Sequence, residues 1–153
     1  MFQIFFLHSY FSWHLLYSSY NASCAFPTAS PNSSNFGLIS IGFVLIFFKG
    51  DSTWKDDVLG SDSTICKVGC LMSSVSMALK GRGKTVNGQS SNPRVLNNYL
   101  RANSGYYGNL FIWGAVAKFG FSYVGIITDI NQIKSYICQN KVVILNVKNG
   151  NHW

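Results

Sequence analysis

The sequence predicts an α+β fold in which helices come first and an antiparallel sheet follows. Three observations carry this expectation. Apolar residues from Leu71 to Leu79 recur at helical spacing, and a second helix signature runs from Asn92 to Gly105. The last third then turns to strand-forming runs, FSYVGIIT at 121–128 and KVVILNV at 141–147. Helices grouped ahead of strands point to α+β rather than to a regular alternation. A length of 153 residues suits one domain and not two of ordinary size.

Each element has its own local reason. The stretch STICKVGCLMSSVSMAL reads as a loop that enters a helix near Gly69, with Leu71, Val75, Ala78 and Leu79 on one face. KGRGKTVNGQSS reads as loop. In NPRVLNNYLRANSG, Asn92 is the N-cap, Pro93 holds the first helical position and Gly105 lies just past the end. NLFIWGAVAKFG reads as a short helix closed by Gly120. After the strand at 121–128, DINQIKSYICQN reads as a helix capped by Asp129, and KVVILNV as a β-branched strand. KNGN is a turn, in which Asn149-Gly150 suits a tight hairpin, and His152-Trp153 begins the returning strand.

Composition divides the chain near Lys49. Residues 1–48 contain no Lys, Arg, Asp or Glu, so all of the +7 formal charge arises in residues 49–153. Overall, 48% of residues are hydrophobic and only 11% charged, against the usual quarter. Residues 1–48 thus form an uncharged apolar leader, with signal or membrane character left open, and 49–153 form the globular part. The leader lacks the basic start of a secretory signal. Its most apolar run, FGLISIGFVLIFF at 36–48, falls short of the ~20 residues that span a bilayer. Between these pieces lie two glycosylation-type sequons, at Asn21 and Asn32.

Two motifs fail on context. ALKGRGKT at 78–85 fits a loose phosphate-binding loop, but that loop needs a strand before it and a helix after it. Here the order is a helix and then VNGQSSNP. Cys66, Cys70, Cys138 and His152 could be imagined as zinc ligands, yet such sites come as two close pairs and only one pair exists, at the wrong spacing. No metal or other cofactor is expected.

Cys70 is the residue with chemistry to offer. A thiol at a helix N-terminus faces the positive end of the dipole and unpaired backbone N–H groups, which favours the thiolate. With an imidazolium beside it, a cysteine pKa falls from ~8.5 to as little as ~3.5. The same N–H groups can hold an oxyanion on an attacked carbonyl, and Gly69 would let a substrate backbone come close. Against this stands the ordinary role of cysteine as a small buried core residue.

The stretch KGDSTWKDDVLGSDSTICKVGCLMSSVSMAL resembles the amino-terminal signature of peptidase C39-like proteins, a papain-like group of cysteine peptidases. NPRVLNNYLRANSGYYGNLFIWGAVAKFG is similar to the family's next block, and VVILNVKNGNHW to its histidine strand. The resemblance covers residues 49–153. It implies a papain-like fold, a peptide or protein substrate, Cys70 as nucleophile and His152 as general base, and no cofactor. Cys66 falls on no functional position, and Trp54, Trp113 and Tyr106 match family aromatics that pack. His8 and His14 lie in the leader, which leaves His152 as the base.

Two departures accompany the resemblance. The family carries an imidazole-orienting Asn or Asp on a strand after the histidine, and this sequence stops at Trp153, as a domain cut short would. Lys49 stands where the family usually has the Gln that completes the oxyanion hole; a lysine donor sits on a longer, charged stem. The competing expectation is an inactive, truncated peptidase-like domain that serves as a basic binding module or is held at a membrane by residues 1–48. Lys67, Lys80, Arg82, Lys84, Arg94, Arg101 and Lys118 occur between residues 63 and 128 with no acid among them. No aromatic-interleaved signature accompanies them, which argues for a solvated basic face and against nucleic acid as the partner.

Overall fold

The structure is a computed structural model that describes residues 2–8 and 46–146. Residues 48–57 are a succession of turns. The Asp51 carboxylate accepts from the Thr53 N–H at 2.8 Å, and the Trp54 indole N–H donates to the Phe48 carbonyl at 2.8 Å. Two short strands follow, β2 (Val58–Leu59) and β3 (Ser63–Thr64), paired antiparallel. Gly60, between them, has φ +63°, and a Cβ there would stand 2.2 Å from the Gly108 carbonyl oxygen, so this turn is closed to larger residues.

The helical part begins with a single turn, α1 (Ile65–Val68), and continues as α2 (Cys70–Gly81). The buried stripe of α2 is Met72, Val75, Ser76 and Leu79, joined by Ser73. The expected face of Leu71, Val75, Ala78 and Leu79 is therefore rotated by about one residue, and Leu71 and Ala78 are only half-buried. Serines are tolerated inside because one of them is paired: the Ser76 and Ser91 hydroxyls lie 3.0 Å apart, and Ser91 Oγ also donates to the Ser76 carbonyl at 3.1 Å.

The expected loop after α2 contains a hairpin, β4 (Thr85–Val86) with β5 (Gln89–Ser90). Asn87 and Gly88 both have positive φ, the two-residue turn for which Asn-Gly is favoured. The residues of the phosphate-loop pattern thus run from the end of α2 into β4, with no helix N-terminus to receive an anion.

Helix α3 (Pro93–Ala102) starts as the sequence predicts, with the Asn92 side chain accepting from the Val95 N–H at 2.9 Å and Pro93 at the first position. A further hairpin, β6 (Tyr106–Tyr107) and β7 (Leu110–Phe111), leads into a 3₁₀ helix, Trp113–Phe119, closed by Gly120 at φ +78°. Leu96 and Leu100 of α3, Met72, Val75 and Leu79 of α2, and Val116 of the 3₁₀ helix form the centre of the core. Each such side chain, once buried, contributes roughly 1.5–3 kcal/mol relative to exposure.

The last third gives β8 (Phe121–Ile126), α4 (Ile130–Cys138) with the Asp129 carboxylate capping Asn131 N–H, and β9 (Val142–Asn146). All three fall where the sequence predicts them. Their pairing does not. The expected antiparallel sheet is replaced by a three-stranded sheet in the order β8-β1-β9, where β1 is Phe2–His8, and both of its pairings are parallel. The physical reason is the helix between β8 and β9. A strand–helix–strand passage carries the chain back to its starting edge, so both strands run the same way. The strand FQIFFLH, apolar except for Gln3 and His8, lies between them, as suits the middle strand of a parallel sheet. Antiparallel pairing is confined to the three short hairpins among the described residues. The architecture is α+β, with mixed helices and small antiparallel pairs beside the parallel sheet.

Candidate functional site

Cys70 is the first residue of the 12-residue helix α2. Its thiol is free and half-buried, whereas the free thiol of Cys66 is exposed. Cys138, at the end of α4, is disulfide-bonded. No side chain caps α2, and among the described residues no backbone acceptor serves the N–H groups of Cys70, Leu71 and Met72. Three amide donors and one thiol therefore share the start of a helix. That arrangement is equipped to hold a negative charge on the oxygen of a carbonyl that the sulfur attacks.

Gly69 builds this start in a way the sequence does not show. It is buried, and a Cβ on it would meet the Ile65 carbonyl oxygen at 2.5 Å and the Ile65 Cα at 2.9 Å. Its small size is required by the close packing of Ile65 against the joint. Its N–H donates to the Ile65 carbonyl at 2.8 Å, and its carbonyl accepts from Ser73 N–H at 2.9 Å, so the joint is pinned on both sides.

The segment that carries Lys49 is anchored from two directions. Arg94 of α3 binds Asp57 with both Nε and Nη2, at 2.7 and 2.9 Å, and also donates to the Thr53 carbonyl. Phe47 N–H lies 3.2 Å from the Met77 sulfur on α2, and the Lys80 ammonium sits 5.2 Å from the Phe47 ring centroid. Cys66 N–H donates to the Lys55 carbonyl at 3.0 Å, tying the segment to α1. Lys49 itself is half-buried, and no hydrogen bond joins it to Cys70 among the described residues.

Trp54, Tyr106 and Trp113 pack against the core, as the sequence predicts. The Tyr106 hydroxyl donates to Asn97 Oδ1 at 3.0 Å, and Asn97 Nδ2 donates to the Val58 carbonyl at 2.9 Å. Burial holds the Tyr106 hydroxyl above its usual range despite the nearby charge of Arg101, so it stays a neutral donor.

His152 lies outside the described residues, as do Asn149, Gly150 and His14. The chain reaches His152 from β9, whose final residue is Asn146. Asn146 is buried, and among the described residues neither Oδ1 nor Nδ2 has a hydrogen-bond partner; the buried Ser73 Oγ, one turn into α2, has none among them either. By backbone register His8 of β1 stands opposite Asn146. The elimination of His8 on the ground that it lies outside the fold therefore does not hold. Sequence pattern could not have found Asn146 or Ser73, because what distinguishes them is the lack of a partner.

Two cavities flank α3. One of about 560 Å³ is bordered by Gly60, Ser61, Arg101, Ser104 and Tyr106, and the other, of about 400 Å³, by Asn87, Gln89, Arg94 and Tyr99. Neither includes Cys70. Among the described residues there is no cluster of three or more metal-binding side chains, and no helix long and apolar enough to cross a membrane.

Comparison with known proteins finds no family model, no curated protein and no solved structure that matches this chain.

Proposed function

We propose that residues 49–153 act as a papain-like cysteine peptidase domain of the C39-like kind, cutting a peptide bond in a peptide or protein substrate. The observation that carries this reading is the free, half-buried Cys70 thiol at the uncapped start of α2. The Cys70 sulfur attacks the scissile carbonyl carbon, and the first-turn N–H groups of α2 receive the oxyanion. His152 takes the thiol proton and returns it to the leaving amine. Water, deprotonated by the same imidazole, then releases the acyl group and restores the thiol. The disulfide at Cys138 supports a compartment where such bonds persist, in line with a secreted or membrane-associated chain.

The register of β1 places His8 within the described fold, opposite Asn146, so His8 is carried as a second candidate for the base. Both are tested together. The full chain is assayed on a mixed peptide library, beside Cys70→Ala, His152→Ala and His8→Ala variants. The proposal expects cleavage that Cys70→Ala and His152→Ala abolish and His8→Ala leaves in place. Loss with His8→Ala alone moves the base to β1. Cleavage that survives Cys70→Ala, or its absence throughout, overturns the peptidase reading and favours a non-catalytic binding or membrane-associated module.

A further inference from the structure

We propose that the β6–β7 hairpin, together with Arg101 beside it, is a docking site for a bilayer surface that contains anionic phospholipid. The site stands apart from Cys70, and the proposal does not depend on the peptidase reading. In the hairpin, Tyr106 pairs with Phe111 and Tyr107 with Leu110. Tyr106 and Phe111 pack against the core, so the alternate pair faces outward. A strand face turned to water ordinarily carries polar residues. Here it carries a tyrosine 78% exposed and a leucine 70% exposed, directly opposite each other. A single exposed apolar side chain needs no explanation, whereas two opposed ones make a contiguous apolar face.

This face is braced at both ends of the hairpin. Gly108 and Asn109 form its turn, which packs on the β2–β3 turn at Gly60. Ser61 N–H donates to Asn109 Oδ1 at 3.2 Å, and Asn109 Nδ2 donates to Asp62 Oδ1 at 2.7 Å. At the base, Ile112 N–H donates to the Gly105 carbonyl at 2.9 Å. A face set in advance loses little conformational freedom on docking.

Charge selects the occupant. The cavity of about 560 Å³ adjoins the hairpin at Gly108 and is also bordered by Ser61, Arg101 and Ser104. Arg101 is exposed and is the one charged residue on that border among the described residues; the Asp62 carboxylate is bound to Asn109. A guanidinium beside two serines suits a phosphate. The chain as a whole carries 12 Lys and Arg against 5 acids, which draws it to a negative surface and opposes a second copy of itself. A tyrosine and a leucine suit the boundary between headgroups and acyl chains, with the phenol on the wet side. A hairpin placed in this way lies on the bilayer and does not span it.

The test is co-sedimentation of the full chain with vesicles of phosphatidylcholine, alone or with phosphatidylserine added. The proposal expects binding to the mixed vesicles, little to phosphatidylcholine alone, and loss as salt rises. Tyr107→Ser/Leu110→Ser should weaken binding at least about tenfold, and Arg101→Gln about fivefold. Tyr107→Phe/Leu110→Ile, which keeps the face apolar, should bind like wild type. Hydroxyl-radical footprinting of the unaltered chain gives a reading that needs no variant. Oxidation of Tyr107 and Leu110, both in tryptic peptide 102–118, should fall when the mixed vesicles are present. Residues 1–48 are present throughout, so binding through that segment would survive in the serine variant. Such survival, equal binding to phosphatidylcholine, unchanged oxidation of Tyr107 and Leu110, or no binding at all overturns the proposal.

Discussion

Ser73 and Ser76 occupy the same buried side of α2 with opposite consequences. Ser76 is paired with Ser91, while the Ser73 hydroxyl has no partner among the described residues. An unmet buried hydroxyl costs about 1–3 kcal/mol, and a met one contributes about 1 kcal/mol. Ser73→Ala should therefore leave stability unchanged or raise it by up to ~1 kcal/mol, and Ser76→Ala should lower it by about 1 kcal/mol. Urea unfolding of the two variants reads this directly; equal losses would mean that Ser73 has a partner after all. At this scale the sequence shows the residue type and the helix start and hides the environment. Cys70 is legible because a Gly-Cys step ahead of an apolar run marks a helix start. The reason for Gly69 is not, since it depends on how near Ile65 comes. Asn146 is likewise silent in the sequence, where it reads as one polar residue at a strand end.

Among the elements, α2 decides the site, because its first residue is the thiol and its buried stripe fixes how that residue is presented. Its two glycines make opposite predictions. A Cβ at Gly69 would stand 2.5 Å from a backbone oxygen, whereas one at Gly81 meets nothing within 4 Å. Gly69→Ala should destabilise the chain by roughly 1–3 kcal/mol through overpacking against backbone. Gly81→Ala should be neutral or stabilise by about 0.5–1 kcal/mol, because alanine is the better helix former. Thermal melts of both variants check the pair, and a Gly69→Ala protein as stable as wild type would contradict the tight joint. Helix caps were the clearest element signals: Asn92-Pro93, Gly120 and Asp129 all stand where the sequence puts them. The β4–β5 hairpin is marked in the sequence only by Asn87-Gly88, because its strands are too short to show alternation. The segment after β7 is helical but 3₁₀, a distinction that apolar spacing over so few residues cannot make.

For the molecule as a whole, the order of strands was legible and their direction was misread. The sequence contains a strand, a helix and a strand in succession from Phe121 to Asn146, which is itself the mark of parallel strands. Grouping by halves of the chain concealed that unit. The third strand, β1, comes from the uncharged amino-terminal segment, so composition alone could not assign it to a sheet. Charge is distributed with less freedom than the basic stretch suggests. Arg94 is held by Asp57 and Thr53, Arg82 donates to the Asn140 carbonyl, and Lys80 sits over Phe47. The cations of the basic stretch are scattered along the sequence, so the salt dependence of any nucleic-acid binding should be shallow and the binding weak. Filter binding across a salt series should show none left at roughly 200 mM; retention there would favour a basic binding module.

The central claim is that Cys70 is a nucleophile set apart by its place at the start of α2. The most direct measurement is iodoacetamide labelling at mildly acidic pH for short times, with the labelled peptides 56–67 and 68–80 compared by mass. Exposure alone would favour Cys66, whose thiol is the more open of the two. The account predicts the reverse, with Cys70 labelled at least about tenfold faster, as the attacking sulfur of the peptidase reading should be. It also predicts that His152→Ala removes most of that advantage. Equal labelling of the two cysteines, or faster labelling of Cys66, would contradict it.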